Sequence, residues 1–199
     1  MPVREVRVAA ERLERWLAGF AERHGPVERT QTADAVTLVG ADGDRAVLEA
    51  PFPPLDGDLV AHTLRERAVG VLLVRRGGHA VGLFAGVALI ASKVGSSYVQ
   101  GGTKAGGWSQ QRYARRRANQ ADAAFADAAD AAVRVLGGRR LDALVAGGDR
   151  EAVRAVLADR RLASLPAPSR PWLQVKDPKL RVLAATVEQF RSVRIELDP

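Results

Sequence analysis

The chain has 199 residues and a mass of 21.3 kDa, enough for one well-buried domain and short for two. Its hydrophobic fraction of 47% and charged fraction of 27% fit an ordinary globular fold, and the absence of cysteine excludes disulfides, thiolate metal sites and cysteine nucleophiles together. The net charge of +7 is local: positions 67–121 hold nine basic residues and no Asp or Glu, so the rest of the chain sums to −2.

A single basic patch is the electrostatic footprint of a protein that docks on nucleic acid. At 5% aromatic residues, the chain lacks the material for an extended base-stacking platform. The N-terminus, Met-Pro-Val-Arg-Glu-Val-Arg, is charged from the start and has no apolar signal core. The longest apolar run, 80–91, is about a dozen residues against roughly 18–20 for a membrane span. A cytoplasmic protein with no membrane partner is expected.

In chain order, Val6, Ala9, Leu13, Trp16, Leu17 and Phe20 recur at helical spacing and predict an amphipathic helix over 5–23, an N-terminal extension ending at His24-Gly25-Pro26. Strands are expected at 35–39 and 45–49, joined at Asp42-Gly43, a strong hairpin signal. Pro51, Pro53 and Pro54 break the chain before a short helix near 58–67. A meander follows: 69–74, a turn at Gly77-Gly78, then 79–84 and 87–93, whose near-continuous apolar runs suit strands buried on both faces. After a long connection, a helix over 110–136 carries the stripe Ala114, Ala118, Ala121, Phe125, Ala128, Ala132 and Val135 and ends at Gly137-Gly138. A strand at 141–146, a turn at Gly147-Gly148 and a helix over 149–159 capped by Asp149 come next. A stretch broken by Pro166, Pro168 and Pro171 leads to a last helix near 178–190 and a strand at 193–197. This order argues for one α/β (α+β) domain over 1–199, a mixed β-sheet with flanking helices.

The connection at 95–109 exceeds the usual four to six residues by far, and structureless loops of that length are functional or disordered. Gly101, Gly102, Gly106 and Gly107 free its backbone for positive φ and close approach to another surface. Arg112, Arg115, Arg116 and Arg117 stand at the start of the helix that follows. Cations there oppose the helix dipole at roughly 0.3–1 kcal/mol each, so stability alone does not select them. They read as a phosphate-binding platform, with Lys104 in the loop beside it.

The string Gly106-Gly107-Trp-Ser-Gln110-Gln111-Arg112-Tyr113-Ala114-Arg115-Arg116-Arg117 resembles the catalytic loop and helix of eukaryotic and archaeal class-1 translation release factors, where a Gly-Gly-Gln tip precedes an Arg-Phe-Ala-Arg-x-Arg helix. It is more similar still to the Vms-like release-factor branch of the actinobacterial type, whose tip follows a Gly-x-x-Gln pattern, here Gly107-Trp108-Ser109-Gln110. The resemblance covers about 69–159 as a catalytic core. It implies a release-factor catalytic domain of ribonuclease H-like type, working on the ribosomal large subunit and peptidyl-tRNA, with Gly106, Gly107 and Gln110 catalytic. Aligned without a gap on Arg112-Tyr113-Ala114-Arg115, the family's glutamine falls at Trp108; a two-residue shift brings Gln110 there, and Gln111 stands as second candidate.

The implied reaction is hydrolysis of the ester between nascent peptide and tRNA. Glutamine is no general base, and no His, Asp, Glu or Cys lies near Gln110 in sequence, so a self-sufficient hydrolase is not expected. A residue inserted into an RNA active site need only orient water. No cofactor and no metal are called for. His24, His62 and His79 are scattered without ligand spacing, and Asp42-Gly43-Asp44 and Asp56-Gly57-Asp58 read as turns. Gly101-Gly102-Thr103-Lys104 lacks the order of a P-loop. Tyr98 and Trp108 either stack on bases or pack the loop base, and Trp16 and Trp172 are expected in the core. Two other readings stand beside hydrolysis: a ribosome- or tRNA-binding accessory protein without catalysis, and a metal-dependent nuclease, which needs the clustered carboxylates that the acid-free window lacks.

Overall fold

A computed structural model describes residues 4–75, 77–96 and 108–198, with side chains except at 108–119. The chain packs as two compact units, Met1–Glu66 with Val187–Pro199, and Arg67–Thr186, where sequence length predicts one domain. Each unit carries a five-stranded sheet, so the α/β class holds but the single mixed sheet becomes two.

The first unit opens on strand β1 (Arg4–Val8), then helix α1 (Leu13–His24), β2 (Val27–Gln31), β3 (Ala35–Gly40), β4 (Arg45–Glu49) and helix α2 (Leu59–Leu64). The helical periodicity predicted over 5–23 therefore holds only from Leu13. Residues 4–8 alternate, with Val8 buried and Val6 half-buried, and pair antiparallel with the last strand of the chain. The predicted hairpin forms: Gly43 takes φ 93° in its turn, and Val36, Leu38, Ala46 and Leu48 point inward at period two. Leu13 and Phe20 of α1, with Val193 and Ile195, close the core of this unit.

The second unit runs β5 (Ala68–Arg75), β6 (Gly78–Ala85), β7 (Ala88–Ser96), α3 (Trp108–Leu136), β8 (Ala143–Gly148), α4 (Arg150–Leu157) and β9 (Pro168–Leu173). Helix α5 (Leu180–Phe190) straddles the boundary, and β10 (Val193–Asp198) returns to the first sheet. Here the sheet is mixed, in the order β7-β6-β5-β8-β9, with β5, β8 and β9 parallel and the β5-β6-β7 meander antiparallel. Strands β5 and β6 are buried along nearly their whole length, as their apolar runs require. Strand β7 is not: Ala88, Ile90, Ser92 and Lys93 are exposed, because β6 is its one neighbour in the sheet.

One face of this sheet is covered by α3, whose Ala128, Ala132 and Val135 pack with Leu72, Val74, Val81 and Leu83. Alanines on the stripe let the helix axis approach closely, and each buried Leu or Val contributes about 1.5–3 kcal/mol. On the other face Leu183 seats over Gly82, where a Cβ would stand 3.0 Å from its Cδ1.

Candidate nucleic-acid interface

Helix α3 begins at Trp108, two residues earlier than the predicted start at 110. Gln110 therefore stands in the first helical turn, with Gln111 beside it. Arg112, Arg115, Arg116 and Arg117 follow in the next two turns, and no acid occupies the first turn. Strand β7 runs on through Gly95 and Ser96, so the connection shortens to 97–107. Gly106, Gly107 and Lys104 lie outside the described residues, as do the side chains of Gln110, Gln111, Arg112, Arg115, Arg116 and Arg117. Tyr98 and the Trp108 side chain fall outside them too.

At the root of this connection the fold brings in a histidine that linear spacing does not reveal. His79 of β6 pairs directly across from Gly95 of β7. Its ring crowds the glycine, where a Cβ would meet Cε1 first and stand 2.6 Å from Nε2. The imidazole is only 4% exposed, and its Nδ1 has no hydrogen-bond partner; the Gln120 Oε1 of α3 is likewise buried and unpartnered. Burial holds the His79 imidazole below its ordinary pKa, opposed by the Asp127 carboxylate and assisted by Lys93. So enclosed, His79 cannot reach an external ester as a general base. The residue was detectable from sequence only as one polar position inside an apolar strand.

Around the adjacent strand end, Asp149 caps α4 as predicted, its carboxylate accepting from Glu151 N and Ala152 N at 3.0 and 3.3 Å. Gly147 and Gly148 belong to β8 rather than to a turn. Trp172 is half-buried; its Nε1 donates to the Gly148 carbonyl at 3.2 Å, and the Arg150 guanidinium stacks 4.3 Å from its ring centroid. Trp16 is also partly buried, stacked on Phe20 at 5.6 Å.

In the first unit, His24 converges with Asp42 and Asp44 of the β3–β4 turn: His24 Nδ1 is 2.9 Å from Asp42 Oδ2 and 3.4 Å from Asp44 Oδ2. The hydrogen bond from His24 pulls the Asp42 pKa below the usual carboxylate value, and Asp42 also accepts from Asp44 N within the turn. Among the described residues this is the one group of three potential metal ligands. His24 and Asp44 also line a cleft of about 530 Å³ with Val6, Val8, Trp16 and Phe20. No helix among the described residues is long and apolar enough to cross a membrane.

The acid-free stretch 67–121 spans the β5-β6-β7 meander and the first half of α3 on a mixed α/β sheet. The chain belongs to the Actinobacteria/chloroflexi VLRF1 release factor family, whose pattern matches residues 67–196. The match starts with the second unit and runs through α5 into β10, well past the core expected at 69–159. No curated protein matches the chain. Family membership carries a release-factor role, and with it interaction with the ribosome.

Proposed function

We propose that this protein is a peptidyl-tRNA hydrolase that cleaves the peptide–tRNA ester on stalled ribosomal large subunits in the cytoplasm, in ribosome rescue or quality control. Gln110 is the working residue, with Gln111 as second candidate, and Gly106 and Gly107 let the chain enter a narrow RNA cavity. Lys104, Arg112, Arg115, Arg116 and Arg117 hold rRNA or tRNA phosphates.

The observation that carries this reading is the position of Gln110 in the first turn of α3, inside the stretch matched by the release-factor family. A glutamine amide accepts a hydrogen bond through its oxygen and donates through its nitrogen, but takes no proton at neutral pH. Its role is to hold a water against the ester carbonyl carbon. The water oxygen bonds to that carbon, the bond to the tRNA ribose oxygen breaks, and the water's two protons end on the peptide acid and the freed hydroxyl. Negative charge develops on the carbonyl oxygen during attack, and the free N–H groups of a helix's first turn favour an anion placed near them. Positioning of this kind accounts for catalysis without a neighbouring acid or base.

The test is direct. The protein is added to large subunits carrying peptidyl-tRNA, and peptide release is followed by gel. Release is the expected result. Binding without release would replace hydrolysis by the accessory-factor reading.

A further inference from the structure

A second basic cluster stands at the same end of the second sheet, built from residues outside the arginine helix. Arg75 is the last residue of β5, and its side chain crosses Gly148 at the end of the parallel neighbour β8, where a Cβ would stand 3.2 Å from Arg75 Cδ. Gly148 adopts φ 90°, a conformation suited to glycine, and its amide-bonded neighbour Asp149 N donates to Val74 O at 2.8 Å, which fixes the crossing. The Gly148 carbonyl accepts from Trp172, and Arg150 stacks on that indole. The four residues thus form one contiguous surface: guanidinium, glycine backbone, indole, guanidinium.

Its charge is unneutralised. Arg75 and Arg150 are both exposed, and neither has an ion-pair partner among the described residues. Two acids adjoin Arg150 in sequence: Asp149 is turned to the amides at the start of α4, and the exposed Glu151 makes no ion pair with Arg150. Position matters as much as charge. Gly78, across the β5–β6 turn from Arg75, pairs with Ser96, the last described residue before the 97–107 connection. The cluster and the connection that leads to Gln110 therefore leave the sheet at one end.

We infer that Arg75, Arg150 and Trp172 form a second RNA-contacting patch, which grips the ribose–phosphate backbone of ribosomal RNA. The inference rests on the ribosome-directed reading above and extends its footprint to residues that reading does not use. RNA fits better than an acidic protein because the surface offers more than charge. A guanidinium held on an indole is desolvated on one face and open on the other, and its open face takes a stacked base while its edge donates to phosphate. Acidic side chains would use only the edge.

The experiment measures binding of the full chain to large subunits across a series of KCl concentrations, with R75Q/R150Q compared against R139Q/R140Q. Arg139 and Arg140 are exposed and precede the opposite end of β8, so the control removes the same charge at the far end of the strand. Each lost phosphate contact flattens the log–log salt dependence by about 0.7–0.9. The double variant at 75 and 150 should therefore lose about 1.5 from the slope, the control should match wild type, and R75K/R150K should recover most of the loss. Equal slopes for R75Q/R150Q and wild type, with wild-type binding and peptide release intact, would overturn the patch and leave the hydrolase reading standing. Absence of any salt-sensitive subunit binding by wild type would overturn both. Poly-glutamate serves as the acidic-polypeptide probe. If R75Q/R150Q lost poly-glutamate binding as steeply as subunit binding, the surface would be a general polyanion site and the RNA assignment would fall.

Discussion

Gly95→Ala tests the packing that sets the strand end from which the 97–107 connection departs. The new methyl would stand 2.6 Å from His79 Nε2 and 3.2 Å from Nδ1, where ordinary contact begins at 3.4 Å. Cε1 of the ring stands nearer still, so strand or ring must give by about 1 Å. Overpacking of that kind costs roughly 1–3 kcal/mol. Replacing glycine also removes freedom from the unfolded chain, which returns about 0.4–1 kcal/mol. A net loss of about 1–2 kcal/mol is expected. His79→Ala should cost less than its burial implies, because it also removes a buried Nδ1 that has no partner. In the double variant the methyl enters the space the ring has left, so most of the Gly95→Ala penalty should vanish, a coupling of about 1–2 kcal/mol. Native-state hydrogen exchange of β6 and β7 amides reads the second unit by itself. A Gly95→Ala penalty as large in the His79→Ala background as in wild type would refute the account of His79 as the group that excludes a side chain there.

Acid should weaken the second unit before carboxylates titrate. With the folded His79 pKa depressed by burial below the ordinary 6.5, the unfolded chain takes up a proton that the folded one refuses. Stability is then intact above pH 6.5 and falls as pH drops below it, and His79→Leu should flatten that dependence in exchange measured from pH 7 to 5. Asp149→Ala removes the acceptor for Glu151 N and Ala152 N and should cost α4 about 1 kcal/mol, visible as faster exchange over 150–157. Reversal of Arg112 and Arg115 to Glu should weaken subunit binding severely and flatten its salt dependence by at least about 1.4 if both face phosphate. Unchanged binding would make them a solvated helix face.

Elements with strong local signals were legible in the sequence. Asp42-Gly43 marks its hairpin because the turn needs positive φ there, and the alanine stripe from 121 to 135 marks α3 because one face must meet the sheet. Strands that depend on distant partners were not. Residues 4–8 read as a helix because Val6 and Ala9 extend the spacing of Leu13 and Phe20, yet alternating valines find a partner in β10 near the far end of the chain. β2 is almost wholly exposed, so it shows no apolar alternation, and β9 contains two prolines, which its edge position tolerates. The Gln110-to-Arg117 string is readable because it is contiguous. The seating of His79 on Gly95 and the Arg75–Gly148–Trp172–Arg150 surface are not, since each is assembled by strand pairing between segments many residues apart.

The role proposed for Gln110 is to place, from the first turn of α3, the water that cleaves peptidyl-tRNA. Its most direct test is the rate of peptide release from large subunits carrying peptidyl-tRNA, measured for Gln110→Ala and Gln111→Ala at protein concentrations that saturate binding. A neutral amide contributes nothing to phosphate attraction, so subunit affinity should be unchanged in both variants. Gln110→Ala should abolish release, with Gln111→Ala retaining most of it. The reverse pattern would move the site by one residue and keep the mechanism. Full release by both variants would contradict the account and leave a ribosome-binding protein whose chemistry lies elsewhere.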